Sequence, residues 1–127
     1  MQEVGIFLAV SSHSPGKIKR GWYKYIMVCG DYTVEKKADT KETTGNRLAM
    51  ICAIEALKRM RKPSVITIHT DCRYLINGHG NLQAWKDNGW KRRDGRKLKN
   101  TDLWQQLSDL QKNHAVRYRF ENMDQYS

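Results

Sequence analysis

The stretch 64–75, SVITIHTDCRYL, changes its pattern at a single residue. Residues 64–70 (SVITIHT) are β-branched and apolar, which suits a strand buried in the middle of a sheet. Asp71 ends the run, and residues 71–78 restart as a helix. Upstream, residues 44–60 read as helical. Leu48, Ile51, Ile54 and Leu57 recur at i, i+3 spacing, with Ala49, Ala53 and Ala56 as good helix formers between them. Thr43 or Thr44 is placed to cap that helix and Pro63 marks its exit. A buried strand held between two helices belongs to a parallel crossover, so the chain reads as an α/β fold.

Toward the N-terminus, residues 4–10 (VGIFLAV) form an apolar run that suits another buried strand. Residues 11–21 (SSHSPGKIKRG) carry turn residues without periodicity and read as a loop. Residues 22–29 and 32–38 pair as an antiparallel hairpin across Gly30-Asp31. Toward the C-terminus, Gly78, Gly80, Asn88, Gly89 and Gly95 are read as breaking the middle region into short pieces. Asn100 or Thr101 caps a further helix through Leu103, Trp104, Leu107 and Leu110, ending at His114. Residues 115–121 alternate, with Val116, Tyr118 and Phe120 on one face and Arg117, Arg119 and Glu121 on a wet one. The expected order is β-β-β-α-β-α-α-α-β in one domain, residues 1–127. This gives a five-stranded mixed sheet, three antiparallel strands followed by parallel ones, flanked by helices.

The composition narrows the function. The chain has 127 residues and a formal net charge of +10. No run of about 18 apolar residues is present, which argues against a membrane span. Glu3 stands where a signal peptide would carry cations. Cys29, Cys52 and Cys72 are odd in number and show no CxxC spacing. A disulfide framework and a zinc knuckle are therefore not expected, and the cytoplasm is the simplest compartment. His13, His69, His79 and His114 lack metal-ligand spacing, and Ser11-Ser12-His13 is not a triad arrangement.

The charge excess points to an anionic partner, and half of it is local. Residues 85–99 hold Lys86, Lys91, Arg92, Arg93, Arg96, Lys97 and Lys99 against Asp87 and Asp94, with Trp85 and Trp90 among them. Cations interleaved with flat rings suit the phosphates and bases of a nucleic acid. The alternative is a solvated loop whose tryptophans dock into the core. A smaller group, Lys17, Lys19, Arg20 and Lys24, brackets the loop after the first strand.

The element order and two blocks resemble type 1 ribonuclease H. Residues 43–48 (TTGNRL) are similar to the family's TTNNRM segment at the start of its first helix. Residues 68–75 (IHTDCRYL) resemble its TDSQYV segment, and residues 85–107 (WKDNGWKRRDGRKLKNTDLWQQL) its basic handle and the helix that follows. The resemblance implies a ribonuclease H-like fold with a basic handle. It also implies cleavage of the RNA strand of RNA–DNA hybrids by two magnesium ions about 4 Å apart. Such ions need several carboxylates, and the family supplies four.

Those acids do not carry over. The first-strand position, in a segment similar to FTDGS, is Ala9, and the first-helix position is Ala49. Asp71 matches the acid after the fourth strand. The family's C-terminal helix, with its fourth acid, has no counterpart before Ser127. No catalytic residue is therefore assigned. Asp71 is read as a helix cap or a weak metal ligand, and no cofactor is expected unless residual nuclease activity draws on Mg2+. What the resemblance leaves is a binding surface. Thr44, Asn46 and Arg47 match the segment that holds a phosphate at a helix N-terminus, where ordinary capping by Thr44 is the alternative. In the handle, Lys86, Asn88, Lys91, Arg92, Arg93, Lys97 and Lys99 would grip backbone phosphates, while Trp85 and Trp90 pack it or touch sugars.

The leading expectation is a catalytically inactive ribonuclease H-like protein, a pseudoenzyme that binds RNA–DNA hybrid or structured duplex RNA or DNA. Two alternatives stand beside it. One is a protein-interaction or inhibitor module, such as a phage or mobile element would use. It would bind a partner or a second copy through Val116, Tyr118, Phe120 and Tyr126. The other is a residual hybrid endonuclease using Asp71 with Glu121 or Asp124.

Overall fold

The computed structural model describes residues 1–126. Five strands form one sheet in the order β4-β3-β1-β6-β7. They are β1 (Gln2–Val10), β3 (Gly21–Cys29), β4 (Tyr32–Thr40), β6 (Ser64–Thr70) and β7 (Ala115–Phe120). β3 lies antiparallel to both β1 and β4, whereas β1, β6 and β7 run parallel. Two short strands, β2 (Lys17–Ile18) and β5 (Thr43–Thr44), pair with each other outside the sheet. The helices are α1 (Gly45–Leu57), α2 (Arg73–Asp87) and α3 (Thr101–Gln111). The mixed α/β sheet expected from the sequence is therefore present.

Strand alternation decides which face is covered. Ile6 lies beside Ile68, Leu8 beside Tyr25 and Ile68 beside Tyr118, so these side chains share one face. Ile6, Leu8, Ile66 and Ile68 are fully buried there. Such burial contributes about 1.5–3 kcal/mol for each side chain. The Tyr118 ring sits 4.5 Å from that of His79 on α2, and its hydroxyl donates to Gln111 Oε1 on α3 at 3.1 Å. The opposite face carries Phe7 stacked on His69, 4.2 Å between ring centres, with Tyr126 tilted against Phe7.

Three expectations change. β6 and β7 are separated by two α-helices rather than three, because α2 runs unbroken through Gly78 and Gly80. Gly78 is a packing residue: a Cβ there would lie 2.0 Å from Cη2 of the Trp104 indole. The helix after Asn100 stops at Gln111 rather than at His114, whose Nδ1 accepts the Ser64 N–H at 3.1 Å. Finally, Tyr118 is turned toward α2 and α3 rather than outward, and Val116 packs against the same core. The last strand therefore does not offer Val116 and Tyr118 to a protein partner or second copy. Phe120 stays exposed, with the Arg73 guanidinium 4.2 Å over its ring.

Candidate nucleic-acid interface

β1 and β6 run in parallel with Phe7 beside His69, so Ala9 and Asp71, two residues further along each path, meet at one end of the sheet. There they line a cavity of about 380 Å3 together with Ser11, His13, Trp22 and Asp124. Both carboxylate oxygens of Asp71 are engaged. Oδ1 lies 2.8 Å from Nε2 of His13, and Oδ2 accepts the Met123 N–H at 3.3 Å. Asp71 does not cap α2. The cap residue is Cys72, which has no side-chain cap bond, and its N–H donates to the Thr70 hydroxyl at 3.1 Å.

His13 reaches Asp71 because the loop after β1 folds onto the start of α1. Gly45 N–H donates to Ser14 carbonyl oxygen at 2.7 Å, and a Cβ on Gly45 would lie 2.4 Å from Ser14 N. Only glycine admits the loop at this distance. The β2–β5 pairing, Lys17 with Thr44, closes the same contact. The sequence carried one sign of it, Gly45 where the resembled segment has asparagine, but read His13 as an ordinary loop residue.

The donor set does not fit a pair of magnesium ions. Ala9 and Ala49, at 2% and 0% exposure, supply no oxygen ligand. Glu121 is drawn to His69, 3.4 Å from its Nδ1, and Glu55 pairs with Lys58 at 3.3 Å. Among the described residues, no group of three His, Cys, Asp or Glu side chains is placed to hold a metal.

At the start of α1, Thr44 Oγ1 accepts the Arg47 N–H at 3.2 Å, an ordinary N-cap. Asn46 is half-buried. The Arg47 guanidinium forks onto Asp102, at 3.1 and 2.8 Å, and also donates to Asn100 Oδ1 at 3.1 Å. The hydrogen bonds to Arg47 hold the Asp102 carboxyl below the usual carboxylate range. Arg47 therefore ties α1 to the start of α3 as well as facing solvent.

The handle between α2 and α3 is built from its own side chains. Gly89 and Trp90 adopt positive φ, 67° and 64°, which turns the chain sharply after α2. The Asn88 side-chain amide donates to the carbonyls of Lys91 at 3.1 Å and Arg92 at 2.9 Å. A bridge between Lys91 and Lys97 closes a small hairpin, with Asp94 near Arg92 and Arg96 at 3.5 and 3.6 Å. The Trp85 ring packs 5.3 Å from that of Trp104, and Trp90 packs against the core. Asn88 and the two tryptophans thus shape the handle. Lys86, Lys91, Arg93, Lys97 and Lys99 are exposed and have no acidic partner among the described residues. Arg47, Arg92, Lys97 and Lys99 share a groove of about 760 Å3, which joins the handle to the start of α1.

The RNase H family model matches residues 5–120. This chain belongs to the RNase H family. Among its relatives, the ribonuclease H of Rhodopseudomonas palustris (strain BisB5) is 38% identical over 110 residues, 86% of this chain and 71% of the relative. The ribonuclease H of Acetivibrio thermocellus is 34% identical over 121 residues, 93% of this chain and 80% of the relative. The fold is likewise that of solved RNase H structures. LC9-RNase H1 superposes with a TM-score of 0.77 at 24% identity, over 97% of this chain and 64% of that one. LC11-RNase H1, solved in complex with RNA/DNA hybrid, gives 0.62 at 10% identity over 96% and 87%. The type 1 RNase H resemblance read from residues 43–48, 68–75 and 85–107 is thus shown at the level of the family.

Proposed function

We propose that this RNase H chain binds RNA–DNA hybrid, or a duplex of similar shape, through its handle and does not cut it. The observation that carries the reading is the pairing of an intact cationic groove with a disarmed acid site. Ala9 and Ala49 are buried where the resembled family places carboxylates, and both oxygens of the remaining Asp71 are taken. Two-magnesium hydrolysis needs charge-dense oxygen ligands on both ions, and one engaged carboxylate does not provide them. Phosphate binding needs only cations at the right spacing.

The five exposed handle cations without an acidic partner among the described residues suggest about five phosphate contacts, hence a log K versus log salt slope of about −4 to −5. A reducing compartment belongs to the same reading, since Cys29, Cys52 and Cys72 are free thiols. The experiment is a gel shift on RNA–DNA hybrid, duplex RNA and duplex DNA over a salt series. Hybrid binding that weakens steeply with salt is the expected result. No binding to any of the three at low salt refutes the proposal.

A further inference from the structure

The basic group around the loop after β1 is separate from the handle, yet it opens into the Asp71 cavity. Trp22 and Ser11 line that cavity and also a second groove of about 590 Å3, whose other walls include Lys19, Arg20, Asp39 and Lys41. The backbone at Trp22 is paired with Ser11. Its N–H donates to the Ser11 hydroxyl at 2.9 Å, and its carbonyl accepts the Ser11 N–H at 3.0 Å. Lys37 sits 4.6 Å over the indole ring. Lys19, Arg20 and Lys41 are exposed and have no acidic partner among the described residues, whereas Lys17 and Lys24 lie near Glu42 and Glu35. Among the described residues, Asp39 is the one acid on the rim.

We infer that this groove takes a single nucleic-acid strand leaving the Asp71 cavity, one base stacking on Trp22 while its phosphates meet Lys19, Arg20 and Lys41. An aromatic ring beside a row of cations without acidic partners is the arrangement by which single strands are held without regard to sequence. The groove has the size of a small-molecule site, on the scale of one or two nucleotides and too small for a duplex. The inference rests on the hybrid-binding proposal for the direction of the strand, but not for its chemistry.

The test measures fluorescence anisotropy with a blunt RNA–DNA hybrid and with the same hybrid carrying a ten-uridine overhang on the RNA strand, at either end. An overhang at one end is expected to tighten binding about tenfold. Trp22→Ala removes that gain and Trp22→Phe retains most of it. Lys19→Gln with Arg20→Gln and Lys41→Gln, all surface changes, lowers the overhang's share of the salt slope by about 2. Equal affinity for blunt and overhung hybrids overturns the inference, as does a gain that survives both the Trp22→Ala and the triple variant. Overhang binding that depends on Trp22 while the blunt hybrid does not bind would sink the handle proposal and uphold this one. An absence of all binding sinks both.

Discussion

Nε2 of His13 lies 2.8 Å from Oδ1 of Asp71, a contact that joins the loop after β1 to the end of β6. The acid that would begin a metal site is thereby tied to an imidazole, and its second oxygen is held by the Met123 N–H. The loop can approach because position 45 lacks a side chain. One glycine and one histidine thus seat this loop against Asp71.

Restoring the acids should restore a cation's influence on stability. Ala9→Asp with Ala49→Glu places charge at positions that are almost wholly buried, and unpaired buried charge is strongly destabilising. The double variant is expected to melt lower than the native chain and to recover with added magnesium or manganese, since a ligand that binds only the folded state stabilises it. The native chain is expected to show no such rise. Thermal melts with and without metal decide this. An equal response in both proteins contradicts it.

Gly45→Ala is expected to displace the loop rather than merely stiffen the helix. Alanine ordinarily favours a helix over glycine by about 1 kcal/mol, but here its Cβ would meet Ser14 N, His13 C and Ser12 O at 2.4–2.6 Å. The net effect should be a loss of about 1–3 kcal/mol, read from denaturant midpoints. A gain in stability would show that the loop does not pack there.

Gly78→Ala tests the continuity of α2 in the same way. The added methyl would overlap the Trp104 indole, 2.0 Å from Cη2. A loss of about 2–3 kcal/mol is expected. A gain in stability, as alanine gives at an open helix position, would contradict the packing against Trp104.

The Arg47–Asp102 pair gives a pH dependence of defined sign. Arg47 depresses the Asp102 carboxyl below its ordinary 3.8. A depressed carboxylate contributes stability that is present above the unfolded value and is lost as pH falls through the folded one. Asp102→Asn should therefore cost stability at neutral pH, and the difference should close below pH 3.8 as the native carboxylate protonates. Asp102 is exposed and Arg47 half-buried, so the cost should stay near about 1 kcal/mol. A difference that persists unchanged in acid would contradict the assignment.

Much of the fold was legible because it rests on local pattern. The strands at 4–10, 22–29, 32–38 and 64–70 each announced themselves by apolar or β-branched runs, and the α1 stripe by its i, i+3 spacing. What failed depended on contacts distant in sequence. Gly78 read as a break because Trp104, its packing partner, lies 26 residues on. The alternation of β7 was clear, but which face is covered is set by α2 and α3, so Tyr118 was read as available when it is enclosed. At the site, the places of Ala9 and Asp71 at the ends of β1 and β6 were legible, because the apolar runs that lead to them are local. Arg47 was read without its tie to Asp102, 55 residues away. His13 passed unnoticed for the same reason, Asp71 being 58 residues further along the chain.

The most direct test is a paired assay on one labelled RNA–DNA hybrid, using protein purified from a host without its own RNase H, with magnesium or manganese present throughout. The account predicts a salt-sensitive shifted complex whose RNA strand remains full length. RNA cut by the native chain at a rate abolished by Asp71→Asn would contradict it.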